Sequence, residues 1–166
     1  IQTIKGQTSF NSSLFNFQSG LSPKREVRAV WLTTIGGLDW PHSYAQSPTS
    51  ITKQKKELQI ILDQLKSAGI NTVLFQTRIR GTVVYPSDYE PWDGCLSGVP
   101  NKSPGYDALE FAIEECHKRG MEIQAWIVTI PIGKWDQAGC KNLRNRYPSL
   151  VKKIGEEGFM DMENPQ

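Results

Sequence analysis

Short runs of apolar, β-branched and aromatic residues alternate along the chain with segments whose apolar positions recur every three or four residues. The runs at 27–33, 71–77 and 121–128 are nearly continuous in apolar side chains. Such runs, bounded by Gly and polar clusters, predict buried β-strands.

The segments between these runs have the periodicity and the end signals of helices. Ser47 and Pro48 suit the start of a first helix, and Gly69 suits its end. A second helix is predicted from about 107 to 119 and ends at Gly120. Alternating strands and helices with continuous apolar strands indicate a parallel sheet with right-handed crossovers.

The long loops all follow strands. They cover residues 34–49, 78–106 and 129–146, whereas the turns that enter the strands are one or two residues long. In both open α/β sheets and (β/α)8 barrels, ligands bind at the edge formed by the carboxyl ends of the strands. We therefore expect the binding site among these loops.

The number of repeats is too small for a closed barrel. Strand starts near 27, 71 and 121 give a repeat of about 47 residues, so the chain holds about three βα units, and a closed barrel needs eight. Asn164 and Pro165 also suit the start of a further helix. The predicted fold class is α/β: an incomplete (β/α)8 TIM barrel, about its first three βα units. Residues 24–166 would form the N-terminal part of that domain, after a weakly ordered arm at 1–23.

The composition excludes several classes of protein. The 166 residues are 38% hydrophobic, and 19 Lys and Arg against 17 Asp and Glu leave a net charge of +2. This balance creates no field of one sign that would attract nucleic acid or an anionic membrane. The apolar runs are also far shorter than the roughly 20 residues of a membrane-spanning helix. We expect no nucleic-acid partner and no membrane span.

Metal and cofactor sites are not predicted. His42 and His117 have no Cys, His or acidic neighbour at ligand spacing. Cys95, Cys116 and Cys140 contain no CxxC pair, and whether Cys95 pairs with Cys140 stays open. The nucleotide-binding, GxSxG and HExxH motifs do not occur.

Aromatic residues are concentrated in the three long loops. Sugar rings present a flat apolar face fringed with hydroxyl groups, and aromatic planes beside planar hydrogen-bonding groups suit them. Of the 16 aromatic residues, seven lie in these loops and an eighth directly follows the third loop: Trp40, Tyr44, Tyr85, Tyr89, Trp92, Tyr106 and Trp135, and then Tyr147. The rings either pack the loops onto the sheet or together form a carbohydrate-binding surface.

Strand residues and loop carboxylates leave alternatives open. Arg78 either holds a carboxylate or sugar hydroxyls, or forms a salt bridge that orients a neighbouring acid or loop. Trp126 either forms the base of a sugar subsite or packs in the core, and Trp31 is predicted to be a core residue. Glycoside hydrolysis needs two carboxylates about 5 to 10 Å apart. We expect each loop carboxylate to cap a turn or to lie in solvent instead; these residues are Asp39, Asp88, Glu90, Asp93 and Asp136.

Four strings resemble the glycosyl hydrolase-like 10 family of bacterial proteins. They are REVRAVWLTT with GGLDWP, GINTVLFQTRIRGTVVYPSDYEPW, GYDALEFAIEECHKRGMEIQAWI and YPSLVKKIGEEGFMDMENP. The resemblance covers 24–166 and implies a (β/α)8 barrel. It also implies an exported protein, in some members a lipoprotein, that acts on polysaccharide. Peptidoglycan glycan strands that lack stem peptides are a known substrate type of the family.

The resemblance also implies a substrate groove. The residues implied to bind substrate are Asp39, Trp40, Gln76, Arg78, Tyr85, Trp92 and Trp126, and Trp31, Thr33 and Pro86 match the family beside them. The catalytic carboxylates would lie on later strands, beyond this segment. No catalytic residue is therefore assigned within the chain, and the chain alone is expected to be inactive.

The sequence thus predicts part of a glycoside hydrolase that cleaves O-glycosidic bonds in a bacterial or environmental polysaccharide. Its expected location is the periplasm or the cell surface of a bacterium. The alternatives are a noncatalytic glycan-binding protein on a barrel scaffold and an α/β interaction module with the same opening topology. Because three βα units leave an open strand edge and an uncovered face, self-association is also expected.

Overall fold

The computed structural model describes residues 26–164. The arm predicted at 1–23 and Pro165 of the predicted next helix lie outside the described residues. In chain order the elements are β1 Ala29–Leu32, α1 Pro48–Ser67, β2 Thr72–Arg78, α2 Gly94–Ser97, α3 Ala108–Lys118, β3 Glu122–Ile127, β4 Pro131–Lys134, α4 Ala138–Arg146, β5 Val151–Ile154 and β6 Glu157–Met160.

The first three strands form a parallel sheet in the order β1-β2-β3. In its register Trp31 pairs with Leu74, and Gln76 pairs with Trp126. The chain passes through α1 between β1 and β2 and through α3 between β2 and β3. The three predicted strands and two predicted helices are confirmed, and this α/β arrangement fits a partial TIM-barrel-like fold.

Both crossover helices begin at side-chain caps. The hydroxyl oxygen of Ser47 accepts a hydrogen bond from the backbone N–H of Ser50 at 3.2 Å, and the Ser50 hydroxyl oxygen accepts one from the Ser47 N–H at 2.8 Å. At the start of α3 the Asp107 carboxylate accepts from two backbone N–H groups at 3.0 Å each. These bonds pair donors that the first turn of a helix would otherwise leave free.

One face of the parallel sheet is covered by the two crossover helices. Val73 and Phe75 of β2 are 0% and 1% exposed and pack in one cluster with Leu58 and Leu62 of α1 and with residues of α3. Side chains alternate between the two faces of a strand, so these two positions identify the covered face.

The other face of the same sheet is open, and Trp31 lies on it. Trp31 is 57% exposed, so the prediction that it is a core residue is wrong. The physical reason is the alternation along β1: Leu32 points toward the helices and is buried, and Trp31 points the opposite way. A continuous apolar run indicates that both faces of a strand are suited to burial. It does not indicate which elements of the chain cover each face.

The chain after β3 forms a second, antiparallel sheet in the order β4-β6-β5. The prediction of a loop over 129–146 is wrong, because that segment contains β4 and α4. The hydrophobic pattern of this segment is weak for two reasons. The strand β4 is four residues long and contains Pro131 and Gly133. The residues that α4 buries include a glycine and a cysteine.

The cysteines are separate and buried. Cys95, Cys116 and Cys140 are free thiols, so the pairing of Cys95 with Cys140 that the sequence left open does not occur in this structure. Burial raises the pKa of all three, that of Cys116 to about 11. Within residues 26–164 no helix has the length and apolarity to cross a membrane. The same residues contain no group of three or more His, Cys, Asp or Glu placed to hold a metal ion.

Candidate functional site

The carboxyl end of β2 carries an ion pair between Arg78 and Glu90. Arg78 Nε lies 3.0 and 2.7 Å from the two carboxylate oxygens of Glu90, and Nη2 lies 2.5 Å from Oε1. The two side chains are only 13% and 11% exposed. Arg78 Nη1 also donates to the carbonyl of Val128 and, at 3.2 Å, to that of Thr129.

Of the two roles considered for Arg78, the structure shows the salt bridge, which is formed with Glu90. A guanidinium group has five N–H donors in a fixed fork, and Arg78 directs most of them at Glu90 and at the backbone after β3. Arg78 therefore orients the loop after β2 and joins it to the end of β3. Glu90, which the sequence left as a capping or solvated carboxylate, is instead a partly enclosed partner of Arg78.

Gln76, two residues earlier on β2, organises the loop after β1. Its side-chain oxygen accepts from the backbone N–H groups of Thr34 and Ile35, both at 2.9 Å. In return the Thr34 hydroxyl donates to the backbone carbonyl of Gln76 at 2.9 Å. Sequence reasoning did not single out Thr34, although a polar residue directly after a strand is the signal that would have found it.

These contacts fix which way the Gln76 amide faces. Two N–H donors can bond only to the oxygen, so the amide nitrogen must occupy the other position. Gln76 is 3% exposed, and its amide nitrogen has no hydrogen-bond partner within residues 26–164. Every fully enclosed polar side-chain atom of the described chain has a partner, so this nitrogen reaches solvent. The Gln76 amide nitrogen is therefore an oriented hydrogen-bond donor that a ligand can use.

Trp31 and Trp126 form an aromatic pair near Gln76. Their ring centroids lie 4.8 Å apart at an interplanar angle of 80°, an edge-to-face contact across the central strand. Trp126 is partly buried and pairs in register with Gln76, so both residues lie on the open face. The structure thus brings together Gln76, Trp126 and a tryptophan that was assigned to the core.

The other predicted groove residues are dispersed. Trp40 is 0% exposed, its indole nitrogen donates to the Gln54 carbonyl at 3.0 Å, and its ring lies 5.9 Å from that of Phe75. A ring enclosed in this way has no face for a ligand, which corrects the stacking role expected of Trp40. Trp92 is partly buried against the core, and Tyr85 is partly buried in the long loop.

Two of the loop carboxylates bond to nearby backbone, as expected. Asp39 accepts from the Thr33 N–H at 2.7 Å. Asp93 caps α2 by accepting from the Cys95 N–H at 2.7 Å and from the Thr82 hydroxyl at 2.6 Å. With Glu90 paired to Arg78, three of the five loop carboxylates serve the structure of the loops.

Comparison with known proteins confirms the family resemblance seen in the sequence. The sequence profile of the glycosyl hydrolase-like 10 family matches residues 26–155, which is most of the chain. The chain belongs to the glycosyl hydrolase-like 10 family.

Relatives of this glycosyl hydrolase-like 10 protein are much longer than the part they share with it. The chain is 41% identical over 110 residues to the glycosyl hydrolase YngK of Bacillus subtilis, which is 66% of this chain and 21% of YngK. It is also 41% identical over 104 residues to the glycosyl hydrolase DigH of Escherichia coli K12, which is 60% of this chain and 24% of DigH. The matched segment therefore spans about a fifth to a quarter of these relatives.

Proposed function

We propose that this chain is the N-terminal part of a (β/α)8-barrel glycoside hydrolase and that the carboxyl end of the open face, at Gln76 and Trp126, belongs to the substrate groove. The observation that carries the proposal is the Trp31–Trp126 pair beside the Gln76 amide on the uncovered face. Membership in a glycosyl hydrolase-like family supports a carbohydrate as the substrate class.

The chemistry of these groups suits a sugar. Aromatic side chains provide apolar contact area, and an oriented amide donor can bond to a ring hydroxyl or to a carboxylate. The hydrolytic step needs an acid and a second carboxylate about 5 to 10 Å apart. As the resemblance to the family implies, we assign that pair to later strands, beyond this segment. Within the segment, Glu90, Asp39 and Asp93 already serve other bonds.

The substrate, the location and the self-association of the protein are part of the same proposal. The substrate is a bacterial or environmental polysaccharide, with peptidoglycan glycan strands that lack stem peptides as the first choice. The protein acts outside the cytoplasm, in the periplasm or at the cell surface. Until the rest of the barrel covers it, the open face favours self-association of the isolated chain, which gel filtration with light scattering would detect as dimers or larger species.

The test uses the longest natural polypeptide that contains this sequence. Release of reducing ends from purified glycan strands is measured for the unmodified protein, for Trp126→Ala and for Gln76→Glu, which keeps an acceptor oxygen for Thr34 and Ile35 and removes the amide donor. Loss of a stacking surface or of a donor should lower kcat/KM at least tenfold. Lys53→Ala, an exposed position on α1 away from the open face, is the matched control and should retain activity.

The outcomes separate the functions considered. Glycan binding without any release of reducing ends would favour the noncatalytic glycan-binding protein. Neither binding nor release would refute the proposal and favour an interaction module. Full activity in both Trp126→Ala and Gln76→Glu would remove the open face from the substrate groove.

A further inference from the structure

A cleft of about 1110 Å³ lies beside the open-face site and does not include it. Its walls are the turn after β1, the segment at 79–101 and the helix α4. Trp31, Gln76, Arg78 and Trp126 do not line it. The cleft is therefore a separate cavity on the side of the molecule from which the loops leave the strands.

The two main walls of the cleft are joined by tight packing. A Cβ atom on Gly139 of α4 would lie only 2.5 Å from the carbonyl oxygen of Gly81, so glycine is needed where these backbones meet. Asn142 Nδ2 donates to the Tyr89 carbonyl at 2.7 Å, and Arg146 Nη1 donates to the same carbonyl at 3.0 Å. Because α4 and the long loop are held together by backbone contacts, the cleft is preformed.

Four of the polar side chains in the cleft are uncommitted, unlike those at the end of β2. Arg80, Asn101, Asp136 and Asn145 line the cleft and are exposed. None of these four side chains takes part in a hydrogen bond or ion pair within residues 26–164. Their donors and acceptors are therefore available to a ligand.

Tyr44 provides an aromatic surface on the same cleft. It lines the cleft and is 57% exposed. Its ring is held against Gly98, where a Cβ atom would lie 3.0 Å from two ring carbons. Pro91 and Pro100 add apolar lining. A largely preformed, partly apolar cavity with a few convergent polar groups is the usual form of a small-molecule site, for which volumes are roughly 300–1,000 Å³.

We propose that this cleft is a second carbohydrate subsite, which holds further sugar units of the glycan next to those on the open face. Planar amide, guanidinium and carboxylate groups suit hydroxyl groups, and the exposed Tyr44 ring suits an apolar sugar face. The charges that line the cleft balance, with Arg80 and Lys141 against Asp93 and Asp136, so the cleft offers no excess of positive charge that would select a phosphate. The proposal rests on the proposed function, because it takes the ligand to be part of the same glycan.

The test compares long glycan strands with short fragments of the same strands, using the longest natural polypeptide that contains this sequence. Binding is measured by affinity electrophoresis or calorimetry, together with kcat and KM. Tyr44→Ala and Asn145→Ala should weaken binding of long strands at least tenfold and raise KM for them. The same variants should leave kcat and KM for short fragments unchanged, because a short fragment occupies the open-face site without reaching the cleft.

Ile60→Ala is the control, since Ile60 of α1 is also a large exposed apolar side chain but does not line the cleft. An equal effect of Tyr44→Ala and Ile60→Ala, or normal binding of long strands by Tyr44→Ala and Asn145→Ala, would overturn the cleft subsite. Loss of short-fragment hydrolysis in Trp126→Ala would meanwhile uphold the proposed function, so the two can fail separately. Failure of the unmodified protein to bind any glycan would overturn both.

Discussion

The two faces of the parallel sheet belong to the same three strands but have different surroundings. On the covered face Val73 and Phe75 are enclosed by α1 and α3. On the open face Trp31 and Trp126 contact each other, and Trp31 is 57% exposed. Large side chains occur on both faces, so the difference lies in which elements of the chain cover them. The covered face carries the larger hydrophobic cluster of the described chain. The open face is where apolar surface is available to a ligand or to further structure.

The largest loss of stability is expected for Phe75→Ala, a substitution on the covered face. Truncating a fully buried Phe removes its packing and leaves a cavity, which costs about 3–5 kcal/mol. The free energy of unfolding, from urea denaturation followed by circular dichroism, should fall by that amount. A loss below about 1 kcal/mol, which is typical of surface substitutions, would show that the covered face is not a packed core.

The second prediction concerns the ion pair where the sheet ends. Arg78→Met leaves the enclosed Glu90 carboxylate without its guanidinium partner, which should cost about 3 kcal/mol in the free energy of unfolding. The double variant R78M/E90L removes both charges and should recover most of that loss, because an apolar pair leaves no unpaired charge. A double variant as unstable as Arg78→Met would show that Arg78 stabilises the loop mainly through the carbonyls of Val128 and Thr129.

The sequence predicted the elements whose pattern is long and periodic. The capped helices α1 and α3 and the strands β1 to β3 are set by local signals, such as Ser47 before Pro48 and Asp107 at the start of α3. The antiparallel sheet β4-β6-β5 and the helix α4 were missed because β4 is four residues long and the residues that α4 buries include a glycine and a cysteine. Short elements of this kind depend on contacts made elsewhere, such as that between Gly81 and Gly139.

The site was predicted in location more than in detail. The resemblance alone named Gln76, whereas Arg78 and Trp126 were also singled out by their place near the ends of predicted strands. The structure brings the three to neighbouring positions on β2 and β3. The exposure of Trp31 and the burial of Trp40 could not be read from the sequence, because both are tryptophans near the same strand. Their difference depends on which face the helices cover, and that is a property of the assembled sheet. The pairing of Arg78 with Glu90 likewise depends on the path of a long loop.

The third prediction concerns the charged network that joins the helices of the covered face. Glu115 of α3 is 4% exposed, bonds to Lys118 at 2.8 Å and to Arg119 at 2.7 Å, and Arg119 also bonds to Asp63 of α1 at 2.7 Å. Burial by itself raises the pKa of Glu115, but the bonds and charges of Lys118 and Arg119 outweigh it and lower the pKa from its usual 4.5.

This lowered pKa fixes the sign of the pH dependence. The Glu115 carboxylate contributes its full stabilisation above its usual pKa of 4.5 and loses it as the pH falls through the lower value of the folded protein. Glu115→Gln should therefore cost about 1–2 kcal/mol at neutral pH, with the difference from the parent protein shrinking in acid. Urea denaturation as a function of pH measures this. A difference that grows on acidification would contradict the assignment.

The smallest effect is expected for Trp31→Ala on the open face. Trp31 gives up little buried area, so its loss should cost about 1 kcal/mol or less, mainly the edge-to-face contact with Trp126, which is worth about 0.5–1.5 kcal/mol. A double-mutant cycle with Trp126→Ala isolates that contact, and the free energy of unfolding is the measurement. If a longer natural polypeptide that contains this sequence covers the open face with further strands, Trp31→Ala should there cost as much as a core truncation, about 3–5 kcal/mol. An equally small cost in that polypeptide would mean that the face stays open, and the partial barrel would then be a ligand-binding surface in its own right.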